Sequence, residues 1–214
     1  MRIEPLGETA YILRDLEVDP YVVARSIELA SIPGVEEIVP SMTTVGVYVN
    51  PELFDPMTIS GLKMVSSVRG KNFTVPVVFD GPDLFEVSQI IGAEPEFMVR
   101  AFCGEIYTVV AIGFLPGFPY LTGLPEQLKV LQRRDEPRIQ VSTGSIGIAA
   151  GQAGIYPQQS PGGWNLIGVT PIKVADASKS FFPLNPGDSI RFVEIEKGQV
   201  EKFRDKTILD YAND

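Results

Sequence analysis

The stretch "STGSIGIAAGQAGIYPQQSPGGWNLIGVTP", residues 142–171, decides how the second half of the chain is read. Its apolar residues come in short bursts, and glycines at 144, 147, 151 and 154 interrupt any 3.6-residue period a helix would need. Short strands joined by tight turns fit the same spacing, as in a small barrel. The signal continues outward, since ten of the chain's twenty glycines lie between Gly113 and Gly168. Upstream, "GFLPGFPYLTGL" at 113–124 is too rich in glycine and proline for helix or ordinary strand. Downstream, Asn185-Pro186-Gly187-Asp188 forms a turn and "SIRFVEI" a closing strand. Ahead of the barrel, "GPDLFEVSQIIGAEPEFMVRAFCGE" at 81–105 reads as two short helices, stopped by Gly92 and Gly104, the second opened by Pro95.

The first eighty residues have a different grammar. "TAYILRDL" is a strand, and "DPYVVARSIELASIPG" a helix with Asp19 as cap, Pro20 at its first position and Val23, Ile27 and Ala30 as its apolar stripe. "VEEIVPS" and "TTVGVYVN" follow as strands. "DPMTISGLKMVSSVRG" repeats the Asp-Pro helix start from Asp55, with Gly70 as its stop, and "NFTVPVVFD" is a last strand. The order β-α-β-β-α-β is that of a ferredoxin-like α+β layer. The expected organisation is an α+β domain over residues 1–80 and a mainly β barrel domain over 81–214 that begins with two short helices.

Composition removes whole classes of function. The formal net charge is −9 and no basic run occurs, which argues against nucleic acid and anionic membranes as partners. No stretch of eighteen apolar residues occurs and "MRIEPLGETA" has no signal core, so the expected location is cytoplasmic. There is no histidine, which excludes Ser-His-Asp and Cys-His catalysis and any histidine-containing zinc site; no metal site is expected. The single cysteine, Cys103, reads as a small packed residue, and no phosphate-loop or dinucleotide fingerprint is present.

Three segments remain as candidates for function. In the first, Pro116 and Pro119 limit the freedom of the loop, so Phe114, Phe118 and Tyr120 would be held in place, while Gly117 allows close backbone approach. In the second, "RRDEPR" at 133–138, Asp135 and Glu136 can neutralise Arg133 and Arg134, whereas Arg138 begins a strand and is placed either to meet a ligand anion or to pair with a carboxylate inside the barrel. In the third, Gln152, Tyr156 and Trp164 are candidate contacts for substrate or partner. Each segment also has a purely structural reading, with glycines serving strand bends and Trp164 filling a core.

Taken together, "GFLPGFPYLTGLPEQL", "RRDEPR", "GSIGIAAGQAGIYPQQSPGGWNLIGVTP" and "NPGDSIRF", with "GETAYIL" and "IPGVEEIVPSMTTVGVYVNP" in the first half, closely resemble the KipI-like family. It is also labelled allophanate hydrolase subunit 1 or carboxyltransferase subdomains C and D, and includes the B-type subunits of bacterial ATP-dependent 5-oxoprolinase. The resemblance implies an N-terminal α+β domain beside a cyclophilin-like β-barrel. It implies two partners, a C-type subunit that is also cyclophilin-like and an A-type subunit. The set opens 5-oxo-L-proline to glutamate at the expense of ATP, bound by the assembled complex. Other members imply other roles: a carboxyltransferase component of urea or allophanate metabolism, or an inhibitor of a histidine kinase. The chain departs from the family where relatives carry a histidine and it has Phe102, where "PAGS" becomes "STGS" at 142–145, and where a threonine becomes Ala153.

Overall fold

A computed structural model of the chain describes residues 1–66, 68 and 70–213. They form two compact units, Met1–Arg69 and Gly70–Asp214.

In the first unit β1 (Arg2–Pro5), β2 (Ala10–Arg14), α1 (Pro20–Ala30), β3 (Val35–Pro40), β4 (Val45–Val49) and α2 (Met57–Ser60) follow in order. The sheet runs β1-β2-β4-β3 with every pair antiparallel. Val45, Val47 and Val49 alternate into the core against Val23 and Ile27 of α1, as their spacing predicts. Ala30, expected on the same stripe, is exposed. Helix α1 ends at Ser31 in a left-handed conformation, before Pro33-Gly34 is reached. Asp19 holds the cap position, yet its side chain makes no cap bond and instead accepts a hydrogen bond from the Tyr21 hydroxyl.

The succession β2, α1, β3, β4 supplies four elements of the ferredoxin-like order, and the rest departs from it. The place beside β2 is taken by β1, which precedes it in a hairpin. Sequence reading misses β1 because Pro5 interrupts it, although an edge strand tolerates the lost donor. Of the helix expected from Asp55 to Gly70, a single turn, Met57–Ser60, forms among the described residues, and positions 67 and 69 of the expected span lie outside them. Asp55 Oδ1 accepts from Met57 N at 2.9 Å, and Gly61 ends the element. Beyond it Leu62 and Met64 pack on the core, and Val65 N donates to Ser26 Oγ of α1 at 3.0 Å. The strand expected to complete this layer lies in the second unit as β5 (Asn72–Val77).

The second unit continues through α3 (Leu84–Ile90), α4 (Pro95–Cys103), β6 (Tyr107–Ile112), β7 (Pro119–Thr122), β8 (Arg138–Val141), β9 (Ser145–Ala149), β10 (Gln152–Ile155), β11 (Ser160–Gly162), β12 (Asn165–Val169), β13 (Ser189–Glu194) and β14 (Ala212–Asn213). Eight strands form one sheet in the order β12-β9-β10-β7-β6-β13-β5-β14, while β8 and β11 make a separate ribbon. The pairing of β5 with β13 is parallel, and the other pairs are antiparallel. Just past β5, Val78 exchanges two 2.9 Å backbone hydrogen bonds with Val169 of β12, so the sheet curls back on itself. Gly81 N and Asp83 N extend this seam by donating to Ile167 O and Leu166 O.

Inside the curled sheet Val75, Val109, Leu121, Ile148 and Ile190 have essentially no exposed surface. Helix α4 caps this core through Met98 and Phe102. Phe102 packs on Phe79, Tyr107 and Phe192 with ring centroids 4.9–5.8 Å apart, so the position where the family resemblance implies a histidine in many members is, in this chain, part of the apolar interior. The Tyr107 hydroxyl donates to Phe102 O, and burial pushes its pKa well up. Among the described residues no helix is long and apolar enough to cross a membrane.

Candidate functional site

The aromatic loop, residues 113–118, joins β6 to β7. Gly113 N donates to Phe118 O and Phe118 N to Leu115 O, which closes it tightly. Phe118 is the hub beneath it: Phe114, Tyr120, Tyr156 and Trp164 meet it edge-on with centroids 5.1–5.6 Å apart. Such pairs contribute about 0.5–1.5 kcal/mol each beyond area burial. A Cβ on Gly154 would lie 2.5 Å from the Phe118 ring, and one on Gly117 would lie 2.4 Å from Ala175 Cβ, so both glycines are set by packing. Phe118, Pro119, Tyr156 and Trp164 are buried, Tyr120 is partly so, and Phe114 and Pro116 reach the surface. The rings expected to be held in place are thus mostly buried, with Phe114 the one that stands open to solvent. Phe114 stands 59% exposed at φ 67°, a strained conformation for an aromatic residue and one that functional loops retain.

The arginines of the second segment meet a partner that sequence reading did not single out. Asp83, 2% exposed just before α3, accepts from Arg138 Nη2 at 2.5 Å and from Arg134 Nη1 at 2.9 Å through one oxygen. Its other oxygen accepts from Leu166 N at 2.7 Å. Glu86, a further 3.0 Å contact of Arg134, raises that guanidinium's pKa, and Asp83 adds to the effect. Arg138 thus pairs with a buried carboxylate, one of the two placements expected for it. Its Nη1 is enclosed and has no hydrogen-bond partner among the described residues. Arg133 is exposed and makes no ion pair among the described residues. Asp83 occupies the cap position of α3, although its side chain makes no cap bond.

Tyr156 follows β10, which Gln152 opens. Burial raises the Tyr156 pKa, while a hydrogen bond from the Trp164 backbone and the charges of Arg133 and Arg138 oppose the rise. Burial, then Glu194, pushes the Cys103 thiol up to about 11, which suits a packed residue and not a nucleophile.

Beside Pro116 lies a cleft of about 450 Å³, within the range of about 300–1,000 Å³ typical of small-molecule sites. Pro116 comes from the aromatic loop and Thr143, Gln158 and Thr170 from the glycine-rich segment, while Lys173 and Asp176 follow it. The Lys173–Asp176 ion pair spans 2.7 Å. Asp176 is held down at about 2, first by Lys173 and then by Ser178. Sequence reading picked out the segments that converge here, but not these two residues, which sit in an ordinary polar stretch.

Comparison with known proteins places the chain. The family described as carboxyltransferase domain, subdomain C and D, matches residues 1–182. A protein of Escherichia coli O157:H7 named as the B subunit of 5-oxoprolinase is 37% identical over 212 residues, covering 90% of this chain and 95% of that one. A protein of the same name from Bacillus subtilis (strain 168) is 30% identical and covers 96% and 98%. The crystal structure of TTHA0988 has a TM-score of 0.79 at 32% identity, and covers 87% of this chain but 40% of that one. At 16% identity the Kluyveromyces lactis urea amidolyase, with a TM-score of 0.71 over 98% of this chain and 15% of its own, shows a shared fold alone. Since the family match spans most of both compact units and the bacterial relatives match nearly end to end, the chain belongs to the carboxyltransferase subdomain C and D family that contains the 5-oxoprolinase B subunits.

Proposed function

We propose that the chain is a B-type subunit of an ATP-dependent 5-oxoprolinase and acts with A- and C-type subunits in the cytoplasm to open 5-oxo-L-proline to L-glutamate. The observation that carries the reading is the near end-to-end match to relatives of that name. Chemistry supports it. An unstrained lactam resists water until its oxygen is activated, and ATP bound by the assembled complex supplies that activation. This chain has no histidine and no phosphate loop, so its own part is to bind and orient the small molecule and to keep water from it. A cleft walled by prolines beside a closed aromatic loop suits that part. The kinase-inhibitor reading has no observation of its own, and the urea-pathway reading has only the family's carboxyltransferase description and a urea amidolyase likeness that speaks for fold alone.

The test is co-expression with A- and C-type subunits encoded beside it, followed by an assay of 5-oxoproline-dependent ADP release. The complex is expected to turn over and the isolated chain to turn over neither ATP nor 5-oxoproline. A correctly assembled complex without 5-oxoproline-dependent ADP release, or robust turnover by this chain alone, refutes the proposal.

A further inference from the structure

The cleft beside Pro116 holds a charge pair on an unusually fixed base. Lys173 N donates to Lys206 O, and Lys173 O accepts from Ile208 N, each at 2.9 Å. Asp176 and Phe181 exchange two more backbone hydrogen bonds, at 2.9 and 3.0 Å. The backbone that carries the two charges is thus held by main-chain pairing, and the side chains are held by their mutual ion pair, with Lys173 nearly half exposed.

Counting hydrogen-bonding capacity shows what the pair has left to offer. An ammonium has three donors, and Lys173 gives one to Asp176 Oδ2. An ionised carboxylate has about four acceptor positions. Asp176 fills three: Lys173 takes one on Oδ2, and Ser178 N and Oγ take two on Oδ1. Two cationic donors and one anionic acceptor are thus left side by side. A lone lysine would accept any small anion, whereas a lysine sharing its place with a carboxylate disfavours an anion that brings no N–H of its own. The matching ligand carries a carboxylate and an N–H on one carbon. Pro116, Pro157 and Pro171 offer stiff apolar surface for its methylenes, and Thr143 and Gln158 offer polar groups for its far end.

We infer that this cleft binds an α-amino acid or its cyclic lactam, with Lys173 taking the carboxylate and Asp176 accepting the hydrogen on the α-nitrogen. The choice of 5-oxo-L-proline as first ligand rests on the 5-oxoprolinase reading, and the ligand class rests on the cleft. Substrate and product of that reaction share the α-carbon with its carboxylate and nitrogen, so one pair of contacts serves both.

The experiment titrates the full chain, alone and in the reconstituted complex, with 5-oxo-L-proline, L-glutamate, 2-pyrrolidinone and N-methyl-5-oxoproline, using calorimetry and ligand-observed NMR. 5-Oxo-L-proline is expected to bind, and 2-pyrrolidinone, which lacks the carboxylate, and the N-methyl compound to bind about tenfold or more weakly. Lys173→Gln should weaken 5-oxoproline by a similar factor at an unchanged melting temperature, and Lys173→Arg should recover part of the loss. Binding of 5-oxo-L-proline that is equal in wild type and Lys173→Gln, or equal for 2-pyrrolidinone, overturns the inference, as does no binding in either preparation. A complex that turns over with a KM unaffected by Lys173→Gln sinks the cleft and leaves the oxoprolinase reading standing. Lys173-dependent binding of L-glutamate without 5-oxoproline turnover does the reverse.

Discussion

Replacing Asp83 by alanine removes the common acceptor of Arg134, Arg138 and the Leu166 amide at one stroke. Taken separately, two charge-assisted bonds of about 1.5–3 kcal/mol and one buried amide of about 1 kcal/mol would sum to roughly 4–7 kcal/mol. Part is recovered, because the arginine side chains are 28% and 26% exposed and can turn toward water. The Leu166 amide is buried and cannot. A net loss of about 3–5 kcal/mol is the magnitude found when one member of a buried pair is deleted. At about 2–4 °C per kcal/mol, that lowers the melting temperature by roughly 6–20 °C. Arg138→Ala should cost less, about 1–2 kcal/mol, because Asp83 keeps Arg134 and the amide and the enclosed Nη1 disappears with the side chain. Arg133→Ala, at an exposed site, should stay within about 0.5 kcal/mol. Thermal unfolding followed by calorimetry and circular dichroism gives the order. If Asp83→Ala melts no lower than Arg138→Ala, the view of Asp83 as the keystone of this network is wrong.

Gly154→Ala forces a Cβ to within 2.5 Å of the Phe118 ring and should destabilise by about 1–3 kcal/mol, visible as a lowered urea midpoint. Because burial raises the Cys103 pKa to about 11, its alkylation by iodoacetamide at pH 8 should run about tenfold or more slower than that of an ordinary thiol, and a rate equal to a free thiol's would contradict the packed reading. Asp176 has a folded pKa depressed to about 2, so the stability it contributes is present above its unfolded value of 3.8 and is lost as pH falls through about 2. Melting curves across that window should flatten in Asp176→Asn.

Much of the fold is legible where a local rule and the packing agree. Val45, Val47 and Val49 alternate because one face of β4 is buried, and Pro95 and Gly104 bracket α4 as proline and glycine at helix ends should. Legibility fails where a partner is remote in sequence. Nothing within "NFTVPVVFD" tells β5 that it pairs with β13, and a β-α-β-β-α order makes the nearer sheet look like its home. The site divides in the same way. Glycine and proline crowding marks the loop and the strands around it, since the constraint is local. The acceptor for Arg138 is a lone aspartate 55 residues away, which no spacing rule can connect to it. Phe118, Tyr156 and Trp164 are recognisable as a set, yet the sequence does not distinguish a wall facing a ligand from the support beneath one.

The parallel partnership of β5 with β13 also governs when the second unit becomes a closed object. Lys71 and Asp188, which tie the ends of the two strands together, are 117 residues apart. On a ribosome adding about 5–20 residues per second, β5 waits roughly 6–25 s for its neighbour to emerge. During that time the apolar side chains of Phe73, Val75 and Val77 have no sheet to enter, and the strand's hydrogen-bonding edges are open to other chains. A fragment that begins at residue 81, where the sequence pattern places the boundary, lacks the strand that pairs with β13 and β14, so the second unit is expected to fold only when expression begins at or before Gly70.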